Sequence, residues 1–149
     1  YINRADLSDS VSDLVIIHKY MISDYTNRMY QMKKSNIMSM PVSQAVNFIH
    51  KNIRKPITEA SIADSLSVNA SYLSSLFKKE LGIGIKSYIT SVRIDIAKNM
   101  LQFSDYSYTE ISNYLCFSSH SYFISVFKKQ VGITPKQYRT NYFQSNWRI

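Results

Sequence analysis

Cysteine is nearly absent from this sequence. Cys116 is the only one in 149 residues, which excludes an internal disulfide and any Cys-rich zinc site and fits a reducing cytoplasm. Glycine and proline number three each, too few for a protein built on tight turns and hairpins, so helices are favoured. Long apolar runs are missing as well. Leu14-Val15-Ile16-Ile17 falls far short of a membrane span and lacks signal-peptide flanks, so neither a membrane partner nor export is expected. There is no Gly-rich phosphate loop, no metal-binding pair on a helix and no nucleophile beside a base, so neither an enzyme, a cofactor nor a metal is expected. His18, His50 and His120 are far apart and have no partner at metal-ligand spacing.

Acidic residues are also few, ten against eighteen Lys and Arg, giving a formal net charge of +8. Such a balance attracts polyanions, either nucleic acid or an acidic surface. The length allows one well-buried domain with an extension. The sequence begins with Tyr1 rather than Met, from which a fragment of a longer chain with a missing N-terminal domain is expected.

Between Leu7 and Met32 the apolar positions Leu7, Val11, Leu14, Met21, Tyr25 and Met32 recur at steps of four and three, interrupted by His18 and Arg28. The spacing predicts one long amphipathic helix, capped by Ser8 or Ser10 and closed by Lys33-Lys34. Its stripe packs on this or a missing domain, or forms a homodimer seam over residues 7–32, with membrane attachment as a third alternative. Ser35 to Pro41 breaks the pattern, and a new helix is expected from Val42 toward Arg54. The domain boundary is placed near Pro41, so that residues 1–40 form a helical extension or linker and 41–149 the main domain. The first forty residues hold five Lys/Arg against four Asp/Glu and the remainder thirteen against six, so most of the positive excess belongs to 41–149.

The main domain contains an internal repeat. Residues 71–83 read SYLSSLFKKELGI and residues 121–133 read SYFISVFKKQVGI, an offset of fifty. In the first copy Thr58 caps a helix through Ser65 with Ile62 and Leu66 inward, Ser67-Val68-Asn69 turns, and Asn69 caps a second helix that ends at Gly82. In the second copy Ser107 and Glu110 form a capping box, Ile111 and Leu115 face inward, and Ser119 caps a helix that ends at Gly132. Two short helices joined by a tight turn form a helix-turn-helix unit. The fold expected is therefore all-α: two helix-turn-helix units, at about 58–81 and 107–131, joined by a connector helix at about 86–103 and preceded by the long amphipathic helix.

On each second helix one face is expected inside, Tyr72, Leu73, Leu76 and Phe77 in the first and Tyr122, Phe123, Val126 and Phe127 in the second. The other face carries Ser71, Ser74, Ser75 and Lys78, and its counterpart Ser121, Ile124, Ser125 and Lys128. Small hydroxyl residues allow close approach to base-pair edges, and hydroxyls both donate and accept. The connector, with Tyr88, Ile89, Val92, Ile94, Ile96, Ala97, Met100 and Leu101, is long enough for a buried strut of about 25 Å. Recognition helices about 34 Å apart would enter successive major grooves.

From about Val42 to Tyr142 these residues resemble the DNA-binding domain of the AraC/XylS family of transcription regulators. The resemblance is strongest in SYFISVFKKQVGITPKQYR, Ser121 to Arg139, with Phe127-Lys128-Lys129, Gly132, Thr134-Pro135 and Tyr138-Arg139 at family positions, and extends to Arg93, Ala97 and Ile111. It implies two helix-turn-helix subdomains that place their second helices in the major groove of bacterial promoter DNA, with activation as the commoner mode, and a separate effector-binding or dimerisation domain. The family's base-reading positions fall on Ser71, Ser74 and Ser75 in the first unit and on His120, Ser121, Ile124 and Ser125 in the second. Phosphate contacts are expected from Asn69, Lys78, Lys79, Ser119, Lys128 and Lys129.

The pattern is broken in three places. Ser75 and Ser125 stand where many relatives have Arg, which removes bidentate guanine reading. Cys116 replaces the usual turn glycine, tightening or shifting that turn, and Ile124 replaces a small polar residue. An A/T-rich site is expected, with Ile124 against thymine methyls and a larger share of shape readout. RNA polymerase is an expected partner beside promoter DNA. The alternative function is a basic protein-interaction module that recruits polymerase or another acidic partner with little DNA sequence preference.

Overall fold

The computed structural model describes residues 18, 19, 22–24, 26 and 38–143 of the chain. The helix expected over 7–32, and with it the homodimer seam, lies outside the described residues except at 18, 19, 22–24 and 26, which are helical. From residue 38 the helices are α1 (Met40–Asn52), α2 (Glu59–Ser65), α3 (Ala70–Leu81), α4 (Ile85–Phe103), α5 (Tyr108–Tyr114), α6 (His120–Val131) and α7 (Pro135–Tyr142). No strand occurs among the described residues, and the all-α architecture with two helix-turn-helix units is present. The described residues form two compact units that divide within α4, between Arg93 and Ile94.

In the first unit α1 starts two residues earlier than the apolar pattern indicates. Pro41 sits in its first turn, where a missing N–H costs nothing and the fixed φ already suits a helix. The N-cap residue Ser39 makes no side-chain capping bond. Instead its backbone N–H donates to Glu80 Oε2 of α3 at 2.9 Å, so a carboxylate stands at the positive end of α1. Val42, Ala45, Val46 and Ile49 of α1 are buried with Ile62 and Ala63 of α2 and with Leu73 and Phe77 of α3. Leu66, expected inward, is half-buried.

The caps form as the sequence requires. Thr58 Oγ1 accepts from the Ser61 N–H at 3.1 Å, and Ser61 Oγ accepts from the Thr58 N–H at 3.0 Å. Ser107 and Glu110 make the same reciprocal pair, which holds the Glu110 carboxyl below its ordinary range through the Ser107 side-chain and backbone bonds. Gly82 and Gly132 end α3 and α6 with left-handed φ values of 76° and 88°.

Each turn carries a less expected feature. Ser67 and Cys116 both adopt φ 54°, a region costly for a side chain with a Cβ. In each unit that residue lets the chain close the first helix. The Ser67 and Val68 N–H groups reach the Asp64 and Ala63 carbonyls at 3.1 and 3.0 Å, and those of Cys116 and Phe117 reach Asn113 and Ser112 at 3.0 Å each. The bend at Cys116 thus makes the same pair of backbone bonds as the bend at Ser67. The units differ after it, because Ser118 makes the second turn one residue longer before the cap at Ser119.

Two arginines close the units. Arg93 donates from Nε to the Ile53 carbonyl at 3.3 Å and from Nη2 to the Lys55 carbonyl at 2.9 Å. Arg139 donates to the carbonyls of Leu101 at 3.3 Å and Ser104 at 3.4 Å, and also to that of Tyr106, with its guanidinium 4.9 Å from the Tyr108 ring centre. In both cases the helix after the recognition helix reaches back to the carbonyl end of the helix before the motif. These carbonyls lie in the last turn of that helix or in the segment just past it, near its negative pole, where a planar cation satisfies several of them at once.

Two outcomes follow for stability. Arg139→Ala is expected to cost about 2 kcal/mol in urea unfolding, and Arg139→Lys to recover little, because one ammonium cannot span three carbonyls. Full recovery by Lys would mean that charge alone is at work. Cys116→Gly is expected to stabilise the protein by about 0.5–1 kcal/mol by relieving the left-handed backbone, as read by thermal melting.

Candidate nucleic-acid interface

The second helix of each unit is oriented by what it buries. Leu73 and Phe77 of α3, and Phe123 and Phe127 of α6, are fully enclosed. Phe77 meets the ring of Tyr88 edge-on at 5.4 Å and Phe127 meets Tyr138 likewise at 5.5 Å, a favoured aromatic arrangement. In the second unit Ile94, Ala97, Met100, Leu101, Ile111 and Leu115 complete the core around the two phenylalanines. Tyr88 also lies 3.1 Å from His50 Nε2, and burial pushes its phenol up to about 12.

With those side chains inside, the opposite faces are exposed. Ser71, Ser75, Lys78 and Lys79 on α3, and Ser121, Ser125, Lys128 and Lys129 on α6, all lie on the surface. At about 100° of turn per residue, Ser75 and Ser125 sit at the middle of these exposed arcs. The lysines occupy the last turns of their helices. Asn69 and Ser119 are exposed, but their side-chain oxygens are engaged as caps, accepting from the Tyr72 and Tyr122 N–H groups at 3.1 and 3.0 Å. The Asn69 amide and the Ser119 hydroxyl proton remain as donors.

Three expected base-reading residues sit deeper. Ser74 is half-buried at the rim of α3. Its counterpart Ile124 is half-buried too and packs against the core of its unit, so its side chain is shared between core and surface rather than fully turned outward. His120 opens α6 half-buried, with Nδ1 enclosed and without a hydrogen-bond partner.

The expectation that Tyr72 and Tyr122 point inward is corrected. They are 54% and 42% exposed. Each ring projects about 100° away from the fully buried neighbour, Leu73 or Phe123, on the side away from Phe77 or Phe127. That angle carries it past the edge of the narrow buried stripe. Leu76 and Val126, at the rim of that stripe, are half-buried.

A tight two-helix unit built twice, each presenting a hydroxyl-rich, lysine-flanked helix, defines a double helix-turn-helix DNA-binding domain. Residues 62–141, more than half of the chain, match a family model described as a helix-turn-helix domain. The C-terminal domain of AraT, a response regulator from Geobacillus stearothermophilus, is 31% identical with a TM-score of 0.72, covering 75% of this chain and 93% of that one. A transcriptional regulator from Chromobacterium violaceum, described as containing an AraC-type DNA-binding domain, is 30% identical with a TM-score of 0.65, covering 70% of this chain and 94% of that one. The lactose operon transcription activator of Staphylococcus xylosus is 38% identical over 66 residues, covering 44% of this chain and 24% of the relative. The chain belongs to the AraC-type helix-turn-helix family of sequence-specific DNA-binding transcription regulators.

This family and fold are those of transcription regulators, not of enzymes. The chain spans between 10% and 38% of the length of the first curated relatives it matches. No described helix is long and apolar enough to cross a membrane.

The support of α3 gives a pH signature. Tyr88 titrates near 12 when folded, above its ordinary 10.0. Its neutral form is thus favoured by folding, and the stabilisation is fully present below the unfolded pKa and lost as pH rises through the folded one. Stability should fall between pH ~10 and ~12, and Tyr88→Phe should flatten that fall. An equally steep loss in the variant would assign it to other groups.

Proposed function

We propose that this chain is the DNA-reading part of a bacterial transcription activator, with each unit placing its second helix in one of two successive major-groove segments of promoter DNA. The observation that carries the reading is the repeated exposed face, Ser71 and Ser75 in one unit and Ser121 and Ser125 in the other, each followed by a pair of exposed lysines. Short hydroxyls let a helix backbone approach base edges, and they donate or accept as the base demands. Lys78, Lys79, Lys128 and Lys129 supply salt-sensitive attraction to phosphate.

The name of the staphylococcal lactose relative, a transcription activator, supports the activating mode. In this reading residues 1–40 link the domain of 41–149 to a regulatory or dimerising domain, RNA polymerase is contacted from the bound state, and the protein works in the cytoplasm. The base preference is for A/T-rich sites. Serines at 75 and 125 cannot make the two-point guanine contact that a guanidinium makes, so more of the discrimination passes to groove shape. The half-buried setting of Ile124 limits its share in reading thymine methyls.

Binding selection on random duplex DNA tests this directly. An A/T-rich consensus, preferred over random duplex by at least about a thousandfold, is expected. A G/C-rich consensus would contradict the base preference, and no consensus at all would favour a protein-interaction module. Lys128→Ala should weaken specific and random DNA alike and lower the salt slope by about 0.9, whereas Ser75→Ala should alter preference in one half of the site only.

A further inference from the structure

The exposed tyrosines are absorbed neither by the core nor by the base-reading face. Tyr72 and Tyr122 occupy the same place in the two units, three residues after the caps Asn69 and Ser119. The neighbours at repeat-related positions differ in size and polarity, Ala70 against His120 and Ser74 against Ile124. Yet both positions hold a ring turned substantially to solvent, although the adjacent Leu73 and Phe123 are fully enclosed. The Tyr122 ring centre also lies 6.3 Å from that of Phe117. Burial of apolar area therefore accounts for only part of each side chain.

Their angular position shows what they face. Taking Ser75 as the middle of the exposed arc, Tyr72 lies about 60° to one side and Lys79 about 40° to the same side, while Ser71 and Lys78 lie about 40° and 60° to the other. The same angles hold for Tyr122 and Lys129 about Ser125. When a helix enters a major groove, the middle of its exposed arc meets base edges and its flanks meet the sugar-phosphate walls. Tyr72 and Lys79, seven residues and about 10 Å apart along the helix, make one flank. A phenol there ends in a neutral donor on a rigid ring that loses little conformational freedom on docking.

We infer that Tyr72 and Tyr122 are phosphate-gripping residues, each pairing with Lys79 or Lys129 to hold one wall of the groove and so set the depth and rotation of its recognition helix. This rests on the DNA-reading function proposed above. The tyrosine contributes a hydrogen bond that releases no counterion, and the lysine a charge that does. The two therefore differ in salt dependence while acting on the same strand. Because the contact is to the backbone, it improves binding to any duplex and carries no base preference of its own.

Tyr72→Phe and Tyr122→Phe, which retain the ring, test the assignment in the full chain. Affinity is measured for the selected duplex and for a random duplex across a salt series, with thermal melting as the control for folding. Each substitution is expected to weaken binding to both duplexes about fivefold to tenfold, with an unchanged slope against log salt and an unchanged consensus. Lys79→Ala and Lys129→Ala should instead reduce the slope by about 0.9. Unchanged affinity in both Phe variants would overturn the inference, as would a shifted consensus, which would make the tyrosines base readers. Wild-type protein that fails to prefer any duplex would overturn the DNA-reading function itself, an outcome distinct from either of these.

Discussion

Burial of one phenylalanine in each unit, Phe77 in α3 and Phe127 in α6, fixes the rotation of both recognition helices, and the surface chemistry follows from it. A helix has one free rotation about its axis. Once Phe77 is locked edge-on against Tyr88, and Phe127 against Tyr138, that rotation is set. Ser75 and Ser125 then have to face outward, because two residues along a helix is about 200° around it. The elements around the phenylalanines serve the same constraint. Caps at Asn69 and Ser119 start the helices, glycines at 82 and 132 end them, and Arg93 and Arg139 bind the preceding helices to the cores that receive the rings.

Much of this was legible in the chain because it is encoded locally. Thr58, Asn69, Ser107 with Glu110, and Ser119 announce helix starts through side chains that can reach an N–H three residues on, and each does so. The offset of fifty made the second unit readable from the first. What was not legible depends on partners distant in sequence. The Arg93 and Arg139 bonds go to backbone carbonyls 33 to 40 residues away, which no side-chain pattern marks. The same holds for Glu80, which meets the Ser39 N–H across 41 residues.

Tyr72 and Tyr122 depart from the apolar pattern for a different reason. A pattern of apolar residues treats tyrosine as core, yet the stripe that these small units can bury spans little more than Leu73 to Phe77, and a ring beyond its edge stays wet. Ile124 shows the converse, since a position assigned outward on the strength of its repeat partner Ser74 lies partly against the core. Exposure set by helix phase, as at Ser75 and Ser125, is legible in the sequence. At the margins of the stripe it depends on packing that sequence alone does not specify.

The two recognition helices share their scaffold but differ in what they expose. The first offers serines at 71 and 75 after a short turn, whereas the second follows a turn one residue longer, opens with a half-buried His120 and has Ile124 at its rim. In the function proposed, such unequal halves call for a binding site that is itself unequal in its two halves. The most direct measurement is a crystal structure of the chain bound to its selected duplex. Ser75 and Ser125 are expected to be the helix residues nearest base edges, with Tyr72 and Tyr122 against phosphates. A complex in which α3 and α6 turn these faces to solvent, with DNA held elsewhere on the surface, would contradict this arrangement.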